Sequence, residues 1–306
     1  RERRPTARRA SRPAWRRGGS LKLRMLAIGL IVGLMPAVPS GVQAADAATV
    51  AKSGALNLKS TSALVVEQGG QRVLYAKNVE TVVPIASITK LMTALVVVES
   101  GLPLDERIAI STEDKDGIKG TRSRLKPGAE LARGDLLRLA LMSSENRAAA
   151  ALARTYPGGS RAFVAAMNQK AVELGMWRTR FVDGTGLSSE NVSTAQDLAR
   201  LVGAAYQQPL IREYTTDSKY TVEFANGGRL QYANSNRLVS NADWEIGLSK
   251  TGYISEAGRC LVLQAKIAAT PVIIVLLDSW GKLSRIADAN RIKKWIESHS
   301  SRQPAG

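Results

Sequence analysis

Strand-like runs gather at the two ends of this chain, and helical spacing fills the stretch between them. Residues 62–67 and 71–76 flank Gln68-Gly69-Gly70, which predicts a β-hairpin. Next comes Pro84-Ile85-Ala86-Ser87-Ile88-Thr89-Lys90-Leu91-Met92-Thr93-Ala94-Leu95-Val96-Val97-Val98. A proline and a polar opening precede an unbroken apolar run, so a helix is expected, entered near Ser87 and buried almost all round. Residues 107–110 suit a short strand and 114–128 a polar loop rich in Gly and Lys. Apolar spacing then predicts helices over 134–142 and 146–156, interrupted at Ser143-Ser144-Glu145-Asn146 and stopped by Pro157-Gly158-Gly159. Phe163, Ala166, Met167, Ala171 and Leu174 mark one face of a helix over 160–174. Another is expected over 194–206, after the turn-rich Asp183-Gly184-Thr185-Gly186.

The last third changes period. Residues 219–224, 228–232, 244–250, 259–267 and 272–277 read as strands, and 284–298 as a closing helix. Strands at both ends with helices between predict an α+β fold, the terminal pieces meeting in one antiparallel sheet.

Composition sharpens this picture at the edges. A chain of 306 residues, 44% apolar, has the length and balance for one large packed domain or two modest ones. Its net charge of +17 is uneven: residues 1–44 hold ten Lys and Arg against one acid, and the rest carries +8. That leader has the shape of a secretory signal, with arginines up to Arg24, an apolar core over 25–35, and Val42-Gln43-Ala44 as a small-residue cleavage site. The expected organisation is a signal peptide over 1–44, a flexible lead-in over 45–60, one folded domain over 61–298 and a disordered tail over 299–306. No later run is long enough to span a bilayer, so no transmembrane anchor is expected once the leader is removed. No basic patch interleaved with aromatics points to nucleic acid.

The scarcity of two residue types excludes whole mechanisms. Cys260 is the single cysteine, and in Cys260-Leu261-Val262-Leu263 it reads as a small core residue. The single histidine, His299, lies in the polar tail. A Ser-His-Asp triad and a zinc site of His and Cys are therefore excluded, and any hydrolytic chemistry must use another base. No metal or cofactor is expected.

Three short signals carry candidate chemistry. Ser-x-x-Lys occurs at Ser87/Lys90, Ser123/Lys126 and Ser279/Lys282. The second runs into Pro127-Gly128 and the third reads as a strand exit, so only the first opens a helix. There Ser87 and Lys90 share a face, and the free N–H groups at a helix start favour developing negative charge. A hydroxyl held beside an amine in that place is a candidate nucleophile with its own base. Ser144 and Asn146 sit in a helix break, where polar side chains can enter a cleft. Lys250-Thr251-Gly252 ends an alternating strand (Trp244, Ile246, Leu248), offering a cation and a hydroxyl to a carboxylate while Gly admits close backbone approach.

In this order the three elements resemble those of the serine penicillin-binding and β-lactamase superfamily. Residues 84–93, 142–149, 181–187 and 250–253 are similar to the low-molecular-mass D-alanyl-D-alanine peptidases, and the resemblance spans about 60–280. It implies a β-lactamase/DD-peptidase-like fold, an antiparallel sheet covered by helices with an inserted helical subdomain. It implies that Ser87 attacks a D-Ala carbonyl to form an acyl-enzyme, with Lys90 as base, its pKa lowered by burial and by Lys250. Ser144 and Asn146 would relay the proton to the leaving amine and orient the substrate amide. The N–H groups of Ser87 and Tyr253 would form an oxyanion hole, and substrate would bind along Lys250, Thr251, Gly252 and Tyr253 as an added strand. β-Lactams would acylate Ser87 and leave slowly, because the Glu-x-x-Leu-Asn element of class A β-lactamases is absent between Ser144 and Lys250. Gly252 is followed by 54 residues, filled by two strands and a helix, without the second β-rich domain usual in carboxypeptidases of this kind. That is similar to the short D-alanyl-D-alanine endopeptidases, which cut D-alanyl-diaminopimelate cross-links of peptidoglycan in the periplasm. A D,D-carboxypeptidase is the alternative. A protein that only binds wall peptide would show a broken motif, and none is broken.

Overall fold

In a computed structural model, residues 56–69, 72–224 and 227–300 are described. Strands β1 (Ser60–Glu67) and β2 (Val73–Lys77) form the expected hairpin. A short β3 (Val83–Pro84) leads into a 3-10 turn at Ala86–Ile88 and then α1 (Thr89–Glu99), in which every residue from Thr89 to Val97 is buried. β4 (Arg107–Ala109) pairs with β5 (Glu130–Ala132) across the polar loop, and α2 (Arg133–Met142), α3 (Asn146–Arg154) and α4 (Gly159–Glu173) follow. β6 (Val192–Ser193) pairs with β3. α5 (Ala195–Tyr206) is capped by Thr194, whose hydroxyl accepts from the Asp197 N–H at 3.0 Å. α6 (Pro209–Thr216) takes proline in its first turn, where no N–H is needed. β7 (Lys219–Glu223), β8 (Arg229–Ala233), β9 (Glu245–Ile254), β10 (Gly258–Ile267), β11 (Thr270–Ser279) and α7 (Ser284–Ser300) complete the described chain.

The two ends do meet in one sheet, in the order β2-β1-β11-β10-β9, all neighbours antiparallel. The period-2 alternation of its strands then sorts the core into two layers. Leu64, Val66, Val262, Ile273, Val275 and Leu277 face α1 and the inserted helices. Ala63, Val65, Leu261, Leu263, Ile274 and Leu276 face α7 through Ala289, Ile292 and Ile296. Each buried Val, Leu or Ile among them contributes about 1.5–3 kcal/mol, so both faces are firmly held. Asp288, fully buried on α7, accepts from the N–H groups of Lys59 (3.0 Å) and Ser60 (2.7 Å) and from Ser60 Oγ (2.7 Å), locking β1 to that helix.

Several expectations change here. β7 and β8 pair only with each other and stay outside the main sheet. The strand expected over 244–250 runs on to Ile254, so Lys250-Thr251-Gly252 lies inside β9. Leu58 and Ser60 are buried, within the stretch read as a lead-in, and α7 extends through His299 and Ser300, read as tail. The expected signal peptide lies outside the described residues. Among the described residues, no helix is long and apolar enough to cross a membrane.

Candidate active site

Ser87 occupies the 3-10 turn that runs directly into α1, with no side-chain cap at the start of either. The turn is held in an uncommon shape, with Ala86 at φ 48°. Lys90, with no exposed surface, places Nζ 2.9 Å from Ser87 Oγ, 2.7 Å from Asn146 Oδ1 and 2.5 Å from the Thr185 carbonyl. Two of these partners are carbonyl oxygens, which only accept, while a hydroxyl can also donate. A neutral Lys90 amine therefore spends its two N–H bonds on Asn146 and Thr185 and turns its lone pair to the Ser87 hydroxyl. Burial pulls this amine from 10.5 down to about 7, against the upward pull of Asp183, Glu145 and Asp116. The neutral, proton-accepting form is thus accessible near pH 7.

Ser144 and Asn146 reach the same place from the break between α2 and α3. The Leu139 carbonyl accepts from Ser143 N (3.2 Å), Ser143 Oγ (2.8 Å) and Glu145 N (3.1 Å), which winds the break tightly. Ser144 is left at φ 62°, in the left-handed region that a side chain seldom enters. Glu145, the middle residue of the motif, caps α3 by accepting from the Arg147 N–H at 3.3 Å.

Lys250, also buried, donates to Ser144 Oγ at 2.9 Å and to the Thr251 carbonyl at 3.0 Å. Burial first, and then the charges of Lys90 and Arg285, lower its amine well below the ordinary lysine value. Burial is the main cause of the lowering at both amines. Thr251 Oγ1 donates to Ser235 Oγ at 2.7 Å.

Close backbone packing brings β9 to the serine. A Cβ on Gly252 would come 2.9 Å from the Ile85 carbonyl and 3.1 Å from Ser87 N. On the other side, Gly186 (φ +80°) would drive a Cβ to 2.1 Å from the Ala86 carbonyl. Among the described residues β9 pairs only with β10, as an edge strand of the sheet. Tyr253 is exposed, with Arg259 stacked 4.4 Å over its ring; its side chain does not join the cluster of lysines and hydroxyls.

Three contributors escaped the sequence reading. The loop that presents Thr185 is wound around the Asp183 carboxylate, which accepts from Thr185 N (2.6 Å), Gly186 N (2.7 Å), Ser188 N (3.0 Å) and Asn191 Nδ2 (2.8 Å). Its Asp-Gly-Thr-Gly composition marked a turn, but a carbonyl contact has no side-chain signature. Arg285 donates to the carbonyls of Gly252 (2.8 Å) and Cys260 (3.1 Å), adding a fixed cation behind β9. Nothing local marks it, because β10 and β11 must pair before α7 begins beside β9. Thr121, from the polar loop, accepts from Asn146 Nδ2 at 3.0 Å.

The remaining candidates stand elsewhere. Ser123 accepts from the Leu125 N–H, and Ser279 shares a hydrogen bond with Ser60, so neither duplicates the Ser87 arrangement. Cys260 is buried as expected, its thiol pushed up to about 11 by desolvation. Among the described residues, no cluster of three His, Cys, Asp or Glu side chains is placed to hold a metal ion.

A serine and a lysine in hydrogen-bonding contact, a second lysine on a second serine, and an edge strand beside both can carry acyl transfer without histidine. Comparison with known proteins agrees with that chemistry. Residues 47–281 match the family model described as D-alanyl-D-alanine carboxypeptidase, of peptidase family S11. A D-alanyl-D-alanine endopeptidase of Pseudomonas aeruginosa is 51% identical over 242 residues, 79% of this chain and 78% of that protein. A D-alanyl-D-alanine carboxypeptidase of Bacillus subtilis, DacF, is 28% identical over 289 residues, 92% of this chain and 73% of that protein. The crystal structure of the Streptomyces K15 DD-transpeptidase superposes with a TM-score of 0.72 at 28% identity, covering 78% of this chain and 97% of that one. The chain belongs to the D-alanyl-D-alanine carboxypeptidase family of serine-type peptidases.

Proposed function

We propose that this protein is a periplasmic D-alanyl-D-alanine endopeptidase that hydrolyses D-alanyl-diaminopimelate cross-links of peptidoglycan through an acyl-enzyme on Ser87. The observation that carries the mechanism is the Lys90 amine, 2.9 Å from Ser87 Oγ, with its other two partners unable to donate. Lys90 takes the Ser87 proton as Oγ attacks the D-Ala carbonyl. The oxyanion forms against the N–H groups of Ser87 and Tyr253, a stabilisation typically worth about 3–4 kcal/mol. Ser144, held by Lys250, relays the proton taken up by Lys90 to the leaving amine, and water then releases the acyl group by the reverse path. Asn146 orients the substrate amide, and Lys250, Thr251, Gly252 and Tyr253 line the strand along which the peptide lies. β-Lactams enter the same path and remain on Ser87.

The endopeptidase reading draws its support from the relative at 51% identity, as against the carboxypeptidase relative at 28%. The signal-like leader supports export to the compartment that holds the substrate. Incubation with cross-linked muropeptide dimers and, separately, with monomeric pentapeptide tests the choice by chromatography. Conversion of dimers to monomers is expected. Trimming of the pentapeptide with dimers left intact would replace this reading by the D,D-carboxypeptidase.

A further inference from the structure

The polar loop between β4 and β5 enters the cleft at one residue. Thr121 Oγ1 lies 3.0 Å from Asn146 Nδ2 and 2.6 Å from Asp116 Oδ2. Asp116 also gathers the N–H groups of Ile118, Lys119 and Thr121, each at 2.8 Å. Partial burial would raise its pKa, yet the backbone N–H groups of Lys119, Thr121 and Ile118 and the Thr121 hydroxyl outweigh this and hold it at about 2. A carboxylate can only accept, so the Thr121 proton must point to Asp116. The Thr121 oxygen is then left to accept, and the group it faces on Asn146 must be the NH2. The Asn146 oxygen is therefore turned to Lys90, and a second Asn146 N–H remains for the cleft. Lys119, from the same loop, pairs with Glu256 in the turn between β9 and β10, tying the loop to the opposite wall.

We propose that Thr121, oriented by Asp116, is a positioning residue for the reaction: it fixes the plane and the direction of the Asn146 amide, and through it the lone pair of Lys90. The inference rests on Ser87 acylation as proposed above. Without the Thr121 hydroxyl, the amide can rotate and present NH2 to Lys90, which then loses an acceptor and its lone-pair direction. The polar loop thereby becomes part of the acylation machinery instead of a rim.

Stopped-flow acylation of the purified protein by benzylpenicillin, separated into the noncovalent constant K and the acylation constant k2, tests this. Thr121→Val keeps the shape of the side chain and removes the hydrogen bond, whereas Thr121→Ser does the reverse. We expect Thr121→Val to lower k2 about tenfold with K nearly unchanged, and Thr121→Ser to stay within about twofold of the parent protein. Asp116→Asn, which can present NH2 to Thr121 and reverse the chain, should also lower k2. Thr121 is exposed, so melting temperatures should stay close to the parent. Parent-like k2 in Thr121→Val, equal losses in Val and Ser, or a loss confined to K would overturn the role of Thr121 while leaving Ser87 acylation standing. Failure of the parent protein to acylate would instead overturn the Ser87 reading, and this inference with it.

Discussion

A buried lysine that titrates near neutrality reverses its hydrogen-bonding role with pH. Protonated, Lys90 donates to Ser87, Asn146 and Thr185; neutral, it can accept from Ser87. Its folded pKa of about 7 lies below the ordinary 10.5, so the base form fills as pH rises through about 7. Acylation by benzylpenicillin should therefore climb about tenfold per pH unit below that point and level off above it. A rate measured from pH 5 to 9 checks this, and a profile flat across pH 6–8 would remove Lys90 from the role. Lys90→Arg keeps the charge but cannot deprotonate in this range, and should slow acylation by about 10²–10⁴-fold.

Elements hold these residues at atomic tolerance through two glycines and one carboxylate. Gly186→Ala would place a methyl 2.1 Å from the Ala86 carbonyl at φ +80°, so the Asp183 loop and the Ser87 turn cannot both keep their positions. The left-handed φ alone costs about 1–2 kcal/mol, and we expect a lowered melting temperature together with lost acylation. Asp288→Ala removes the acceptor of two N–H groups and a hydroxyl at the start of β1. It should destabilise by about 3 kcal/mol in urea unfolding while the folded fraction still acylates. These elements differ in how far the sequence exposes them. The helices over α1 to α5 were legible because apolar spacing and punctuation agree: Thr194 does cap α5, and Pro157-Gly158-Gly159 does stop α3. α6 was not, since Gln207-Gln208-Pro209 reads as a breaker and only Ile211, Tyr214 and Thr215 are buried in its eight residues. β7 and β8 were recognisable as strands, but alternation says nothing about which partner a strand takes. The same limit applies within the site. Side chains with a fixed spacing, from Ser87 to Lys250, could be named in advance, whereas the Thr185 carbonyl, Thr121 and Arg285 acquire roles only through tertiary contact.

For the whole molecule, the sheet is assembled from the two ends of the described chain, and the buried apolar residues of α1 to α6 belong to the core on one of its faces, while Leu238 and Trp244, just before β9, join α7 on the other. Ser87, the α2–α3 break and β9 thus come from three distant segments and converge at the edge of the sheet. In the proposed reaction an extended peptide would lie along the outer side of β9, beside the Ser87 hydroxyl. The central claim is that Ser87 is the group acylated there. Intact mass spectrometry of the purified protein after incubation with benzylpenicillin, beside a Ser87→Ala control, tests it most directly. A persistent adduct of one benzylpenicillin mass, absent from the control, is the predicted result. An adduct that survives in Ser87→Ala would contradict the claim, as would a parent protein that carries no adduct and leaves the drug intact.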